Sequence, residues 1–193
     1  MDPLQLLHKY FPDQKARTIV ITHSRLVADK AVSIANRLGT PDIRFIEEAA
    51  MLHDIGVSRV HAPRIGCFGP NNYICHGILG RSILEDEGFP QHALACERHI
   101  GVGLTVEDIL HQQLPLPHRD MTPVTLAEEI ISFADLFYSK KPNEISKEKS
   151  VIEVRKNLAR FGQAKVVIFD ALLDKFSAGS NTIKLELGSC HFS

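Results

Sequence analysis

Three observations predict an all-α fold, a single-domain helical bundle of about six or seven helices. Apolar residues recur at helical spacing in most segments, and these segments end at glycine or proline. Alternating stretches typical of strands are nearly absent. The chain has 193 residues, of which 44% are hydrophobic, and this is enough for one substantial core.

The composition excludes several classes of partner. Twenty-two Lys and Arg residues balance 23 Asp and Glu residues, so no net field favours a nucleic acid polymer or an anionic membrane. The four cysteines form no C-x-x-C pair, and no apolar run approaches the roughly twenty residues of a membrane span. The N-terminus lacks the pattern of a secretion signal. We therefore expect a cytoplasmic protein with reduced thiols.

The first 56 residues are predicted to form a helical lead-in at 1–18 followed by two longer helices. Apolar spacing runs from Ile19 to Leu38 and stops at Gly39, which predicts a helix with His23 near its start. The segment 40–42, with the sequence Thr-Pro-Asp, supplies a cap, a first-turn proline and an acid. It predicts a second helix that ends near Gly56.

The middle of the chain alternates between loops and short helices. Proline, glycine and asparagine are dense from 57 to 72, which predicts a long ordered loop. Helical patterns follow at 73–87, with His76 in the first turn, and at about 90–98, with His99 directly after the helix. The stretch 101–123 is rich in glycine and proline and is predicted to be mostly loop, with one helical turn at 105–112.

The last part begins with a helix that carries an acidic residue inside an apolar run. Thr125 and Glu128 form a predicted capping box, and Asp135 lies about two turns beyond it. The segment 146–193 is predicted to hold two more helices, split near Gly162, and a tail after Ser177. The tail is either disordered or paired as a strand at 183–187. The two C-terminal helices could form the interface of a homodimer.

The run from Ala50 to Gly56 ends an apolar helix pattern in His53 and Asp54, which is unusual for a helix that packs in a core. A buried carboxylate without a partner is strongly disfavoured, and a bound cation would supply the partner. The chain has ten histidines, which is unusually many for its length, and histidine is a common ligand of transition metals. Further candidate ligands are spread over other predicted helices: His23, His76, His99 and Asp135.

These residues divide into two candidate ligand sets. A set of two histidines and two carboxylates with open positions for water suits Fe, Mn or Co, or less specifically Zn or Mg, and open positions favour catalysis over a structural role. Two further histidines could hold a second ion, with Asp54 bridging through its separate oxygens. The first set comprises His23, His53, Asp54 and Asp135, and the second adds His76 and His99.

Two nearby metal ions suit phosphoester hydrolysis, because they can hold a phosphate and activate a shared water. Asp54 and His53 are then the candidate catalytic residues. Guanidinium groups match phosphate geometry, so arginines near the predicted ligands, together with a histidine in the proline-rich loop, are candidate substrate-binding residues. These candidates are Arg59, Arg64, Arg81, His118 and Arg119.

The order of these motifs resembles the HD superfamily of metal-dependent phosphohydrolases, and specifically its HDIG subgroup. The motifs are His23, then His53-Asp54-Ile55-Gly56, then His76, His99 and Asp135. The resemblance implies an HD domain at 19–145 with the first metal on His23, His53, Asp54 and Asp135. The presence of His76 and His99 is similar to members with two divalent metals, often iron, with Mn, Co, Ni, Zn or Mg as alternatives.

Within that family the chain is similar to small bacterial hydrolases that split diadenosine tetraphosphate symmetrically, in length and in the placement of His76 and His99. The resemblance implies a small phosphorylated substrate, a nucleotide-like phosphoester or phosphoanhydride. Two alternatives use the same ligands. A diiron oxygenase would activate O₂ on the same scaffold, and a non-catalytic regulatory module would bind nucleotide without turnover.

Overall fold

The computed structural model describes residues 1–177, and helices dominate this part of the chain. The prediction of an all-α fold is confirmed. The described residues form nine α-helices: α1 (Pro3–Tyr10), α2 (Gln14–Leu38), α3 (Ile43–Leu52), α4 (His76–Asp86), α5 (Pro90–Arg98), α6 (Val106–His111), α7 (Leu126–Asp135), α8 (Val151–Leu158) and α9 (Gln163–Ser177). The strand considered at 183–187 lies outside the described residues.

Helix α2 is longer than the apolar spacing predicts. It begins at Gln14, and the Asp13 side chain caps it by accepting a hydrogen bond of 2.8 Å from the amide of Ala16. The helix therefore crosses the boundary expected at 18/19, and His23 lies in its third turn. The first turn was missed because it is mostly polar, so that the cap marks the start better than the hydrophobic pattern.

The other helix ends show where local signals hold. Helix α3 begins at Ile43, after Asp42, whose side chain makes no capping hydrogen bond, so the start predicted at 40–42 was early. The capping box before α7 is present: the Thr125 hydroxyl accepts from the Glu128 amide at 3.2 Å, and a Glu128 oxygen accepts from the Thr125 amide. This box fixes the start of the helix that ends at Asp135.

The segment 57–72 is more regular than the long loop that the sequence predicts. It holds two short antiparallel strands, β1 (His61–Ala62) and β2 (Cys67–Phe68), between 3-10 segments. Gly66 adopts a left-handed conformation with φ 84° and permits the turn between the strands. The glycines and prolines thus mark tight turns, and not a featureless loop.

The helices pack around one main apolar core. Helix α2 packs on α3, α4 packs on α5, and α7 contacts all of α2, α3 and α5. The C-terminal helix α9 is held against α7 by aromatic contacts, with the rings of Phe133 and Phe169 stacked 5.5 Å apart and Phe176 edge-on to Phe133. This packing brings α2, the ends of α3, α5 and α7 and the start of α4 to one point.

No helix in residues 1–177 is long and apolar enough to cross a membrane. Three of the four cysteines lie in this part of the chain, and all three are buried free thiols: Cys67, Cys75 and Cys96.

Candidate metal centre

The structure brings the six predicted ligands together, and five of them lie at or beside helix ends. His23 projects from the middle of α2. The others are His53 at the end of α3, Asp54 directly after it, His76 at the start of α4, His99 at the end of α5 and Asp135 at the end of α7. Helix ends allow the backbone to turn, so that the adjacent His53 and Asp54 both point inward.

The close approach of two backbone segments at Gly56 sets the position of Asp54. A Cβ atom at Gly56 would lie 2.0 Å from the carbonyl oxygen of His76 and 2.4 Å from the amide nitrogen of Gly80. No side chain fits there, so only glycine lets the 3-10 segment after Asp54 touch α4. The contact therefore holds Asp54 next to the residue that begins α4, His76.

The first ligand set converges on one oxygen of Asp54. Its Oδ2 atom lies 3.2 Å from Nε2 of His23 and 3.1 Å from Nε2 of His53. The Oδ1 atom of Asp135 lies 2.9 Å from the first nitrogen and 3.4 Å from the second. Four ligand atoms of suitable type thus lie within 4.8 Å of one another, as a bound ion would require.

The second set uses the other oxygen of the same carboxylate. The Oδ1 atom of Asp54 lies 3.6 Å from Nε2 of both His76 and His99, and these two nitrogens are 3.1 Å apart. Asp54 therefore faces one set with each oxygen. This arrangement is suited to a carboxylate that bridges two ions.

The tautomers of three histidines are set by backbone carbonyls. The Nδ1 atoms of His53, His76 and His99 lie 2.6–2.7 Å from the carbonyl oxygens three residues earlier. A carbonyl only accepts, so each Nδ1 carries a hydrogen and each ring turns its Nε2 toward the centre. The Nε2 atoms of His23 and His53 are 3.3 Å apart, and those of His76 and His99 are 3.1 Å apart. Two nitrogen lone pairs at such a distance repel each other unless a proton or a cation lies between them. Such backing of Nδ1 is typical of metal-binding histidines.

Asp54 is a buried carboxylate with a lysine partner at only one of its two oxygens. The side chain is completely buried, and neither oxygen accepts a hydrogen bond from any described residue. The Lys140 ammonium forms an ion pair of 2.5 Å with Oδ2, on the side where the first set converges. The Lys140 ammonium thus lies where the first metal ion would be held.

The pKa values favour positive charge on His53 of the first set and disfavour it on His99 of the second. Burial disfavours charge on His53, but Asp54 and Asp135 outweigh it and raise the pKa of His53 to about 10. Despite burial, His53 and Lys140 hold the pKa of Asp54 well below its ordinary value. Burial, His53 and His76 lower the pKa of His99 to about 3, so that its ring is neutral at pH 7.

Two cavities meet at Lys140. The first, which we call the cationic cavity, has a volume of about 750 Å³ and is lined by His61, Arg64, Lys140 and Lys141 among others. The second, which we call the apolar cavity, has a volume of about 290 Å³ and reaches Asp135 and Lys140. A ligand in either cavity would lie beside the candidate metal centre.

The predicted substrate-binding residues are divided by the structure. Arg64 lines the cationic cavity, whereas Arg59 and His118 line neither of the two cavities. Arg81 and Arg119 both form ion pairs with the buried carboxylate of Glu97. Their guanidinium groups satisfy that carboxylate, so the geometry gives them a structural contact in place of a phosphate-binding position.

Lys140 is the residue at this site that the sequence did not indicate. It follows α7 in an irregular segment next to Lys141, and two adjacent lysines normally indicate a solvated surface. Its side chain is only 13% exposed because the chain turns back over the centre after Asp135. An available signal was the short spacing from Asp135, but spacing alone does not give the direction of the turn.

The chain is similar to several known proteins. Residues 20–139 match the family model of the HD domain. The chain is 37% identical over 124 residues to the uncharacterized protein MJ0778 of Methanocaldococcus jannaschii, and the matched segment covers 63% of this chain and 66% of that protein. It is 32% identical over 137 residues to a tRNA (cytidine(56)-2′-O)-methyltransferase of Thermoplasma volcanium, which covers 70% of this chain but only 35% of the enzyme.

Solved structures show the same fold. The HD domain of the Listeria monocytogenes phosphodiesterase PgpH superposes with a TM-score of 0.54 at 18% identity, over 90% of this chain and 97% of that domain. The same domain in complex with cyclic-di-AMP gives a TM-score of 0.53 at 19% identity, over 98% and 88%. The family match extends over more than half of the residues, and the chain therefore belongs to the HD domain family.

Proposed function

We propose that this protein is a metal-dependent phosphohydrolase that acts on a phosphoester or phosphoanhydride of a small nucleotide-like substrate. One observation carries the proposal. Two pairs of histidine Nε2 atoms, 3.3 and 3.1 Å apart, face the two oxygens of one buried carboxylate, of which Oδ2 pairs with the Lys140 ammonium and Oδ1 accepts no hydrogen bond from the described residues. Divalent cations would hold the nitrogens of each pair together and would compensate the buried charge.

The residues fit two divalent ions. His23, His53, Asp54 and Asp135 would hold the first, and Asp54, His76 and His99 would hold the second. Bound there, the ions would supply Lewis acidity toward a phosphoryl group and would lower the pKa of a water molecule. The carbonyls behind the imidazoles fix the direction of the ligand atoms, so that little reorganisation is needed.

The cationic groups beside the centre are suited to bind the non-reacting phosphate oxygens. Arg64 offers a forked donor from the wall of the cationic cavity. Lys140 lines both cavities, and its ammonium can contact a phosphate once Asp54 is neutralised by other cations. Lys140 thus replaces Arg81 and Arg119 in the proposed substrate-binding group.

The proposed substrate is small because the centre is buried at the meeting of two cavities of limited volume. The HD domain of PgpH was solved with cyclic-di-AMP, which makes cyclic dinucleotides reasonable candidates. The methyltransferase relative acts on tRNA by its name, and tRNA is therefore the polymer to compare with small nucleotides. Iron, followed by manganese, is the proposed metal, because the ligands combine imidazole with carboxylate.

The test combines metal analysis with a substrate screen. Protein purified without added metal is analysed for its elements and is then supplied with Fe, Mn, Co, Ni, Zn or Mg. Phosphomonoesters, dinucleoside polyphosphates, cyclic dinucleotides and tRNA are offered with each ion. We expect hydrolysis of a small nucleotide ester by the unmodified protein, loss of both metal and hydrolysis in Asp54→Ala, and retention of both in Asp86→Ala, which removes an exposed carboxylate from α4.

Three outcomes would contradict the proposal. Turnover that persists in Asp54→Ala after metal is lost would remove the metal from the reaction. Uptake of O₂ on addition of substrate would indicate the diiron oxygenase. Tight nucleotide binding without release of phosphate, with every ion, would indicate a regulatory module.

A further inference from the structure

The apolar cavity has a wall that lies outside the segment matched by the HD family model. Its floor is formed near Asp135 and Lys140, at the candidate metal centre. Another part of the lining comes from α8, the 3-10 turn after it and α9, through Val154, Phe161 and Lys165. The family match ends at 139, so these C-terminal elements close a cavity that the matched segment alone does not form.

The interior of this cavity offers apolar surface and few free charges. Its apolar lining includes Ile74, Val102, Leu104, Leu114, Leu136 and Leu158. Besides Lys140, two lysines line the cavity, and both of their ammonium groups already have partners. Lys149 donates to the carbonyl oxygens of Leu136 and Tyr138 at 3.0 and 2.7 Å, and Lys165 donates to Gly103 at 2.8 Å and pairs with Asp108.

Two side-chain amides supply hydrogen-bonding capacity at the edge of the cavity. Gln112 and Asn157 are exposed, line the cavity from opposite parts of the chain, and have no side-chain hydrogen bond within residues 1–177. An amide both donates and accepts, so the pair can bind a group whose edge carries donors and acceptors. The cavity thus combines apolar walls with a polar edge.

A nucleobase has this combination of apolar faces and a donor and acceptor edge. The volume of about 290 Å³ is at the lower end for small-ligand pockets, which suits one base and leaves the rest of a larger nucleotide outside this cavity. We propose that the apolar cavity binds the nucleobase of the substrate and thereby selects a nucleotide over other phosphoesters. This inference rests on the proposed function, which places the phosphate of the same substrate at the metal centre. Lys140 lines both cavities and would lie between the base and the phosphate.

The test uses ligands without phosphate, so that it does not depend on metal or on hydrolysis. Adenosine, guanosine, cytidine, uridine and methyl riboside are titrated against the full chain, and saturation transfer from protein to ligand protons is measured by NMR. Asn157→Trp narrows the mouth, and Ile152→Trp places the same side chain at an exposed position of α8 outside the cavity. Phe161→Ala removes part of the wall, with Ile168→Ala as its control on α9.

We expect the base protons of at least one nucleoside to be saturated more strongly than its ribose protons. Affinity should fall by about fivefold or more in Asn157→Trp and Phe161→Ala and should be unchanged in both controls. The inference is overturned if no nucleoside binds better than methyl riboside, or if both cavity variants bind like the unmodified protein.

The two proposals fail separately in this design. Nucleoside binding without any phosphoester hydrolysis would support the base site and remove the proposed reaction. Hydrolysis without saturation of any base proton would keep the reaction and remove the base site.

Discussion

Replacement of Gly56 by alanine tests whether the contact between the 3-10 segment and α4 positions the centre. The new methyl group would lie 2.0 Å from the carbonyl oxygen of His76 and 2.9 Å from Cα of Gly80. Both are backbone atoms, so no side-chain rotation relieves the overlap. Helix α4 must therefore move away from the segment that follows Asp54.

The size of the effect follows from these distances. An ordinary contact is about 3.4 Å or longer, so the segments must separate by about 1.4 Å. Overpacking of a core costs about 1–3 kcal/mol, and rigid backbone on both sides places this variant at or above about 3 kcal/mol. For a chain of this length that cost corresponds to a decrease in Tm of about 6–12 °C.

The same separation would move His76 away from Asp54 Oδ1, which it faces at 3.6 Å. We therefore expect Gly56→Ala to lose the second metal ion as well as stability, measured by urea unfolding and elemental analysis. Gly39→Ala is the matched control. It adds the same methyl group where nothing lies within 4 Å, and it pays only about 1 kcal/mol for its left-handed φ of 65°. A Gly56→Ala protein with unchanged stability and metal content would show that this backbone contact does not position the centre.

Three further predictions concern stability. Burial raises the pKa of the Cys67 thiol to about 11. The stability that the protonated thiol contributes is therefore complete below pH 9 and is lost as the pH rises toward 11. In urea unfolding, the stability advantage of the unmodified protein over Cys67→Ala should shrink by about 2 kcal/mol by pH 11. Glu97→Gln leaves Arg81 and Arg119 without their carboxylate and should cost about 2 kcal/mol by the same method. Thr125→Ala removes the cap of α7 and should lower stability by about 1 kcal/mol in thermal unfolding.

Each of these predictions has a contradicting result. A difference between the unmodified protein and Cys67→Ala that stays constant from pH 8 to pH 11 would show that the thiol does not titrate in this range. Unchanged unfolding of Glu97→Gln would mean that its two arginines contribute nothing. Equal Tm values for Thr125→Ala and the exposed control Thr18→Ala would show that the cap does not stabilise α7.

The sequence predicted the parts of the fold that depend on local patterns. Gly39 and the Thr125 capping box mark helix ends because single residues determine the backbone there. The polar start of α2 and the hairpin at 61–68 were missed because neither has a strong apolar period. The hairpin instead depends on Gly66 and on contacts with α2 that no short window contains.

The candidate site shows the same division. The six predicted ligands lie together because each has a chemical type that is costly to bury alone. The positions of arginines and lysines could not be predicted in this way, because long charged side chains reach several partners. Arg81 and Arg119 meet Glu97, which is buried in α5, whereas Lys140 folds back over Asp54.

The central claim is that Asp54 joins two ion sites, one at each of its oxygens. Metal stoichiometry measured by elemental analysis, with protein concentration from amino-acid analysis, tests this most directly. We expect two ions per chain in the unmodified protein, one in His99→Ala, which belongs to the second set alone, and none in Asp54→Ala. An Asp54→Ala protein that is folded and still holds both ions would contradict this claim.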